Sequence, residues 1–532
     1  MLTRRTLLAA SAATAAAPSA FSTARAATPK GVIVMAKQID DVITFDPAES
    51  YEFTDNECCA NIYRRLVSPN HSDNTKVDGD LAQSWDVSSD GKEFTFHLKQ
   101  DAVFASGKPL TAEDAAFSFQ RGVLLNKTPG FILTQFGFTK DNVEKLITAT
   151  DDHTLKLSLP ESFAPTFLLF CLSANVGSIV EKATVLANQK NNDLGNDWLK
   201  THSAGAGSYQ LTQWIASDHI TLDANPHALV VPKTRRIAIR HVADPSAQLL
   251  LLQKGDADIA RNLTPDQLKQ VQGNKELTMV SSGQGTSLYL AMNEKTVPEF
   301  SKPQVRQAIK WAIDYDAIAT QITPNAWEVR QGFLPQGLPG ALPNNPFKRD
   351  VAKAKQLLAE AGVANGFSVQ LDTVSAAPYG DIAQAVQANL ADIGIKVELV
   401  PGEQRQVITK TRARTHQMVI LYWGTDYFDP NSNAQAFCAN PDDGDNSKLK
   451  ILAWRSHFVD PELTKMVDDA VHELNGEARI KMYEDMQRLS QERSPFAMML
   501  QQIATAALGK GVSGFALGPL PDYTRYADVE KA

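Results

Sequence analysis

Residues 367–423 read FSVQLDTVSAAPYGDIAQAVQANLADIGIKVELVPGEQRQVITKTRARTHQMVILYW. Phe367, Val369 and Leu371 are spaced two apart, as on one face of a strand. Ile382, Val386, Leu390 and Ile393 then recur on one helical face, and Gly394 stands where a helix stops. Ile395, Val397 and Leu399 mark a second strand, and the apolar run from Met418 to Trp423 a third. This order predicts a βαβ unit feeding a mostly buried sheet, and hence an α/β lobe. Gly424, Thr425 and Asp426 follow the third strand, at the sheet end where open α/β folds take ligands.

Outside this unit the same alternation returns. Phe94, Phe96 and Leu98 predict one half-buried strand, and Leu155, Leu157 and Leu159 another. Thr111 with Glu113 and Asp114 predicts a helix start that carries Phe117, Phe119 and Val123. The chain has 532 residues, enough for several domains at about 150 residues each. With 43% hydrophobic and 21% charged residues it can build real cores. A net charge of -8 argues against nucleic-acid binding through a basic face. Phe163 to Val180 is uncharged but carries Pro165, Asn175 and several small polar residues, which predicts a buried soluble segment rather than a membrane span.

Residues 1–26, MLTRRTLLAASAATAAAPSAFSTARA, read as an export signal. Arg4 and Arg5 form its positive region, and Ala24-Arg25-Ala26 a small-x-small cleavage site. The adjacent arginines resemble a twin-arginine signal, with ordinary secretion as the other route. Cleavage after Ala26 would leave a soluble periplasmic protein with no cysteine at its new end to carry a lipid.

Catalytic and cofactor patterns are not found. There is no G-x-x-x-x-G-K-[ST] loop, no G-x-S-x-G elbow and no H-E-x-x-H helix. Gly205-Ala206-Gly207 lacks the third glycine of a dinucleotide loop. His71, His97, His153 and His202 stand singly, and Asp442/Asp443 and Asp468/Asp469 read as solvated faces. No nucleophile, base and oxyanion site assembles, so an exported hydrolase is the weaker reading, and neither catalytic residues, metal nor cofactor is expected. The four cysteines, Cys58, Cys59, Cys171 and Cys438, allow three complete pairings that sequence cannot choose between.

Several runs, in order along residues 30–515, resemble the extracytoplasmic solute-binding proteins of ABC importers, family 5, the dipeptide/oligopeptide-binding type. They are Gly79–Leu98 (GDLAQSWDVSSDGKEFTFHL), Pro109–Phe119 (PLTAEDAAFSF), Gly207–Leu211 with Asn225-Pro226, and Leu249–Ile259. Val305–Asp314 (VRQAIKWAID), Ala354–Gly362 (AKQLLAEAG) and Trp423–Pro430 (WGTDYFDP) complete the set. His227-Ala228 replace the aromatic pair usual after Asn-Pro.

The resemblance implies a periplasmic-binding-protein type II-like α/β fold: two α/β lobes with a hinge and ligand cleft, plus an additional domain. Lobe I would take 27–73, 203–284 and 501–532, the extra domain 74–202, and lobe II 285–500. Ser281–Thr286 is the expected lobe crossing, rich in glycine. The implied function is a monomeric receptor that delivers a short peptide or related amine-bearing solute to ABC permease subunits and their ATPases. The family also holds receptors for opines, sugars, glutathione-like compounds and metal chelates, so membership does not fix the solute. In peptide-binding members the Asp of the last run pairs with the ligand's α-ammonium, which makes Asp426 the expected anchor. Trp423 and Tyr427 flank it, Tyr289 lies on the strand Leu288–Asn293, whose backbone meets the ligand in such receptors, and Thr286 just before that strand is a further expected ligand contact. Arg330, Arg405, Arg412 and Arg414 are candidates for a carboxylate anchor. Cys438 is a candidate partner for Cys58 or Cys59.

Overall fold

The structure, a computed structural model, describes residues 28–70 and 72–532. The export signal and His71 lie outside the described residues. The main sheet has eleven strands. Across it run Lys396–Gly402, Ser368–Val374, Met418–Gly424, Thr278–Met292 and Phe496–Leu508, in that order. It continues through Ile259–Ala260, Val32–Lys37, Arg236–His241, His219–Ala224 and Tyr209–Ile215, and the eleventh strand, Trp327–Val329, pairs with Phe496–Leu508 off this path.

The βαβ unit expected from residues 367–423 is present. Ser368–Val374 pairs in parallel with Lys396–Gly402 and with Met418–Gly424. The crossover helix Tyr379–Ala391 buries Ile382, Ala383, Val386 and Leu390 completely. Each large apolar side chain so buried contributes roughly 1.5–3 kcal/mol. Gly394 ends this segment in the left-handed region at φ 88°. Beside it Gly366 also has a positive φ, and a Cβ there would stand 1.9 Å from the Gly394 carbonyl oxygen. Gly366→Ala should therefore cost more than about 1 kcal/mol of stability in thermal unfolding. An unchanged midpoint would show that the Gly366/Gly394 contact relaxes freely.

A separate four-stranded antiparallel sheet comprises Ala82–Val87, Glu93–Leu98, Thr154–Ser158 and Ile147–Asp151. Phe94, Phe96, Leu98, Leu155 and Leu157 point into one core, as their alternation predicts. The helix Ala112–Leu125 starts at a capping box in which Asp114 accepts from the Thr111 amide at 3.0 Å and hydroxyl at 2.7 Å. Phe163 to Val180 forms the helix Pro165–Leu172 and a short turn, and is largely buried. No helix among the described residues is long and apolar enough to cross a membrane.

Ser281–Thr286 is strand rather than loop. The 15-residue strand Thr278–Met292 runs antiparallel to Phe496–Leu508 along most of its length. Their register breaks between Gly283 and Ser287, and before the break the strand lies against the Ile503–Leu508 half of its partner. After it, from Ser287 to Ala291, both edges are occupied, by Met418–Gly424 and by Phe496–Gln501. Over Ser287–Ala291 the backbone of the strand expected to meet the ligand is therefore paired on both edges within the sheet.

All four cysteines are buried free thiols. Cys58 and Cys59 sit in the core under Val32–Lys37, while Cys438 packs in the core beneath Met418–Gly424. The suggested bridge between them is not formed.

Candidate functional site

The apolar strand Met418–Gly424 ends at the loop 424–430, which the fold clamps from three sides. Thr425 donates its amide to the Gly285 carbonyl at 2.8 Å, tying the loop to the register break. The Asp426 amide donates to the Ser432 hydroxyl at 2.9 Å. Asp429, fully buried, accepts two hydrogen bonds from Arg479 at 2.7 and 2.8 Å. Arg479 in turn reaches the Ala470 carbonyl, the Tyr483 hydroxyl and Thr166. A bidentate charge pair of this kind fixes orientation as well as position.

The Asp426 carboxylate is thereby held toward residues 50–56, where the Tyr51 hydroxyl donates to it. Burial pushes the Asp426 carboxyl up to about 6, against the lowering effect of the Tyr51 and Ser432 hydrogen bonds. Burial and the Asp426 charge together keep Tyr51 protonated. Phe131 stands edge-on to Tyr51, ring centroids 6.3 Å apart. Phe53 faces the loop from the same wall, its ring tip 3.9 Å from where a Cβ on Gly424 would be. A carboxylate walled by aromatic rings suits an organic ammonium, which gains charge pairing on one side and ring faces on the others. Tyr51→Phe should raise the Asp426 carboxyl further, since the hydroxyl stabilises its charged form. The pH at which the protein gains ammonium affinity should then move up, and binding titrations on both proteins, reaching about one and a half units either side of the carboxyl at about 6, measure it. An unmoved profile would separate Tyr51 from the titrating group.

The other residues expected at the site have mixed placements. Thr286 is buried opposite Gly424 in the sheet, next to the Asp426 loop. Trp423 is half-buried against Phe437, and its indole N–H is buried with no hydrogen-bond partner. Ser287, directly opposite it, likewise carries an unpartnered hydroxyl. Tyr427 lies instead in a core, against Phe167 and hydrogen-bonded from Asn431. Tyr289 packs edge-on between Phe437 and Phe496. In the loop after Gly424 the neighbouring side chains part, Asp426 toward Tyr51 and Tyr427 into the core.

Of the basic candidates, Arg405 and Arg412 are exposed. Arg414 is committed to Asp443 and stacks over Trp454. Asp443 also meets His457 at 2.8 Å, so it belongs to this network and not to a solvated face. Arg330 is buried, donates through Nε to the Leu334 carbonyl at 3.2 Å, and leaves Nη2 without a partner. None of the four contacts the Asp426 loop by hydrogen bond or ion pair.

Sequence reasoning missed Tyr51, Phe53 and Phe131, and it assigned no role to Asp429 or Arg479. Asp429 was visible inside the WGTDYFDP run. The aromatic wall carries no local signal, since Tyr51 and Asp426 are 375 positions apart.

The model described as "Bacterial extracellular solute-binding proteins, family 5 Middle" matches residues 76–445. The chain is 28% identical over 518 residues to the probable D,D-dipeptide-binding periplasmic protein DdpA of Escherichia coli (strain K12), covering 94% of each. It is 26% identical over 546 residues to di/tripeptide-binding protein 2 of Pseudomonas aeruginosa (strain UCBPP-PA14), covering 97% of this chain and 96% of that one. Among solved structures it resembles the ABC transporter-associated periplasmic binding protein DppA from Helicobacter pylori in complex with peptide STSA. The TM-score is 0.75 at 23% identity, over 94% of this chain and 98% of the other. That likeness shows the fold, which is the type II-like periplasmic-binding-protein fold expected from the sequence.

Proposed function

We propose, because this chain belongs to the bacterial extracellular solute-binding proteins of family 5, that it captures an amine-bearing solute, a short peptide foremost, and delivers it to an ABC permease. Relatives named for D,D-dipeptides and for di- and tripeptides support the peptide class. In this reading lobe I comprises 27–73, 203–284 and 501–532, the extra domain 74–202, and lobe II 285–500. The hinge is the register break within Ser281–Thr286, where strand pairing is locally lost and glycines absorb dihedral change. The protein acts outside the cytoplasm, as a monomer, and binds without turnover.

One observation carries this reading: the hydrogen bond from Tyr51, on the lobe I side, to Asp426, on the lobe II side. A carboxylate at the meeting of two lobes, pushed up by burial and free of any basic partner, is poised for a cation that arrives from solution. Closure around that cation gains population only by the solute's greater affinity for the closed form.

A thermal-shift screen of peptides and other amines tests it. A solute at 100 times its Kd should stabilise the protein by about 2.7 kcal/mol. Small-angle scattering should show a more compact bound form. A screen in which stabilising solutes carry no amine, or are hydrolysed by the pure protein, would overturn the reading.

A further inference from the structure

A small polar cavity lies at the far end of the helix Phe53–Ile62, whose first residue stands at the Asp426 loop. Its volume is about 130 Å³, and its charged lining is three arginines, Arg64, Arg65 and Arg525, with one carboxylate, Asp80. The fold gathers them from the segment after the helix, from the strand connection at Asp80 and from near the end of the chain. Ser68 adds a hydroxyl to the same lining.

Two of the arginines are engaged. Arg64 pairs with Asp80. Arg65 meets the Asp522 carboxylate at 3.2 Å and donates to the carbonyls of Ser173 and Asp522. Among the described residues Arg525 has no carboxylate partner. It donates through Nη1 to the Asp522 carbonyl at 2.9 Å, and its Nε and Nη2 make no bond within the described chain. Three guanidinium groups therefore share two carboxylates. Burial, and next the Arg65 charge, bring the Arg525 guanidinium down to about 10, with Asp80 and Asp522 acting the other way. The negative end of the helix does not make up the difference, because the Cys59 and Ile62 carbonyls accept the amides of Tyr63 and Gly207, each at 2.9 Å.

A cation drawn out of water without a counterion is costly, and the guanidinium fork matches the oxygens of an oxyanion. From the cavity and its surplus arginine we infer a second binding site, separate from the Asp426 loop, that takes one small inorganic oxyanion, phosphate or sulfate, on Arg525. The anion supplies the missing negative charge and ties the last stretch of the chain to the end of the helix that carries Phe53. The inference does not depend on which solute the protein captures.

Calorimetric titration and thermal unfolding of the intact protein in sodium phosphate, against sodium chloride at equal ionic strength, test this. Phosphate should bind one to one and raise the unfolding midpoint beyond the effect of chloride. Arg525→Gln should weaken phosphate binding about tenfold or more. Without phosphate it should melt no lower than the parent, since it removes the surplus charge. Arg525→Lys, which keeps the charge and loses the fork, should also bind phosphate more weakly than the parent. The exposed Arg236, paired with Asp223, is the control, and Arg236→Gln should leave phosphate binding intact. A phosphate effect no larger than that of chloride overturns the inference. So does a phosphate response that both Arg525 variants retain in full, or an Arg525→Gln protein that melts lower in anion-free buffer, which would make the guanidinium a structural strut.

Discussion

Replacing Arg479 with Met is expected to destabilise the protein by about 3–5 kcal/mol, the cost of leaving a buried carboxylate without its partner. The two side chains are 1% and 0% exposed, so water cannot substitute for the lost guanidinium. Asp429 would retain only the amide of Asn431, which donates to it at 2.9 Å. Arg479 also stacks near Phe167 and Tyr483 and reaches Thr166, so the change loosens the join between the 165–172 helix and the 424–430 loop. Asp429→Asn should cost a similar amount, and the double replacement less than the sum, because neither partner is then stranded. Chemical denaturation of the four proteins measures the coupling. Additive losses, or a single-mutant loss below about 1 kcal/mol, would make the pair an ordinary polar contact.

How much of this was legible depended on distance along the chain. The strand Glu93–Leu98 and the helix Tyr379–Ala391 announce themselves because one face of each is wet, and the wet face imposes a period. Leu288-Tyr289-Leu290 offers no such period. Both faces of that strand are covered, Leu288 and Leu290 in one core and Tyr289 in another, so sequence could not say which way Tyr289 points. Tyr427 failed for a related reason. It neighbours Asp426 in a loop, where no regular alternation tells the inward side chain from the outward one. The site's other half was beyond any pattern. Tyr51, Phe53 and Phe131 meet the Asp426 loop only because the folded chain brings distant segments together, and their composition there is unremarkable. The same holds for Asp429 and Arg479, whose pairing needs the 476–493 helix to pack against the loop.

Asp426→Asn should have two opposite effects, one on binding and one on stability. For an amine-bearing solute the change preserves shape and removes the charge, so the ammonium is buried without its counterion. The expected loss is about 2–5 kcal/mol of binding, mostly as faster dissociation. An N-acetylated solute should lose much less, and the cycle of protein variant against acetylated ligand isolates the pairing. In the empty protein the sign reverses. The folded-state carboxyl lies at about 6, above its ordinary value of 3.8, because burial disfavours the charge. The folded state therefore binds the proton more tightly than the unfolded chain, and its ionised form at neutral pH costs stability. Removing the charge should then stabilise the empty protein by about 1–3 kcal/mol at neutral pH. That gain should disappear as pH falls through about 6 toward 3.8, where the parent carboxyl is itself neutral. Melting curves of both proteins over that range, without ligand, read it directly. A variant that binds amines as tightly as the parent would remove Asp426 as the anchor. A variant less stable than the parent at neutral pH would instead make the carboxylate a structural cap of its own loop, since only a group held at an energetic cost for the sake of a ligand improves the fold when it is discharged.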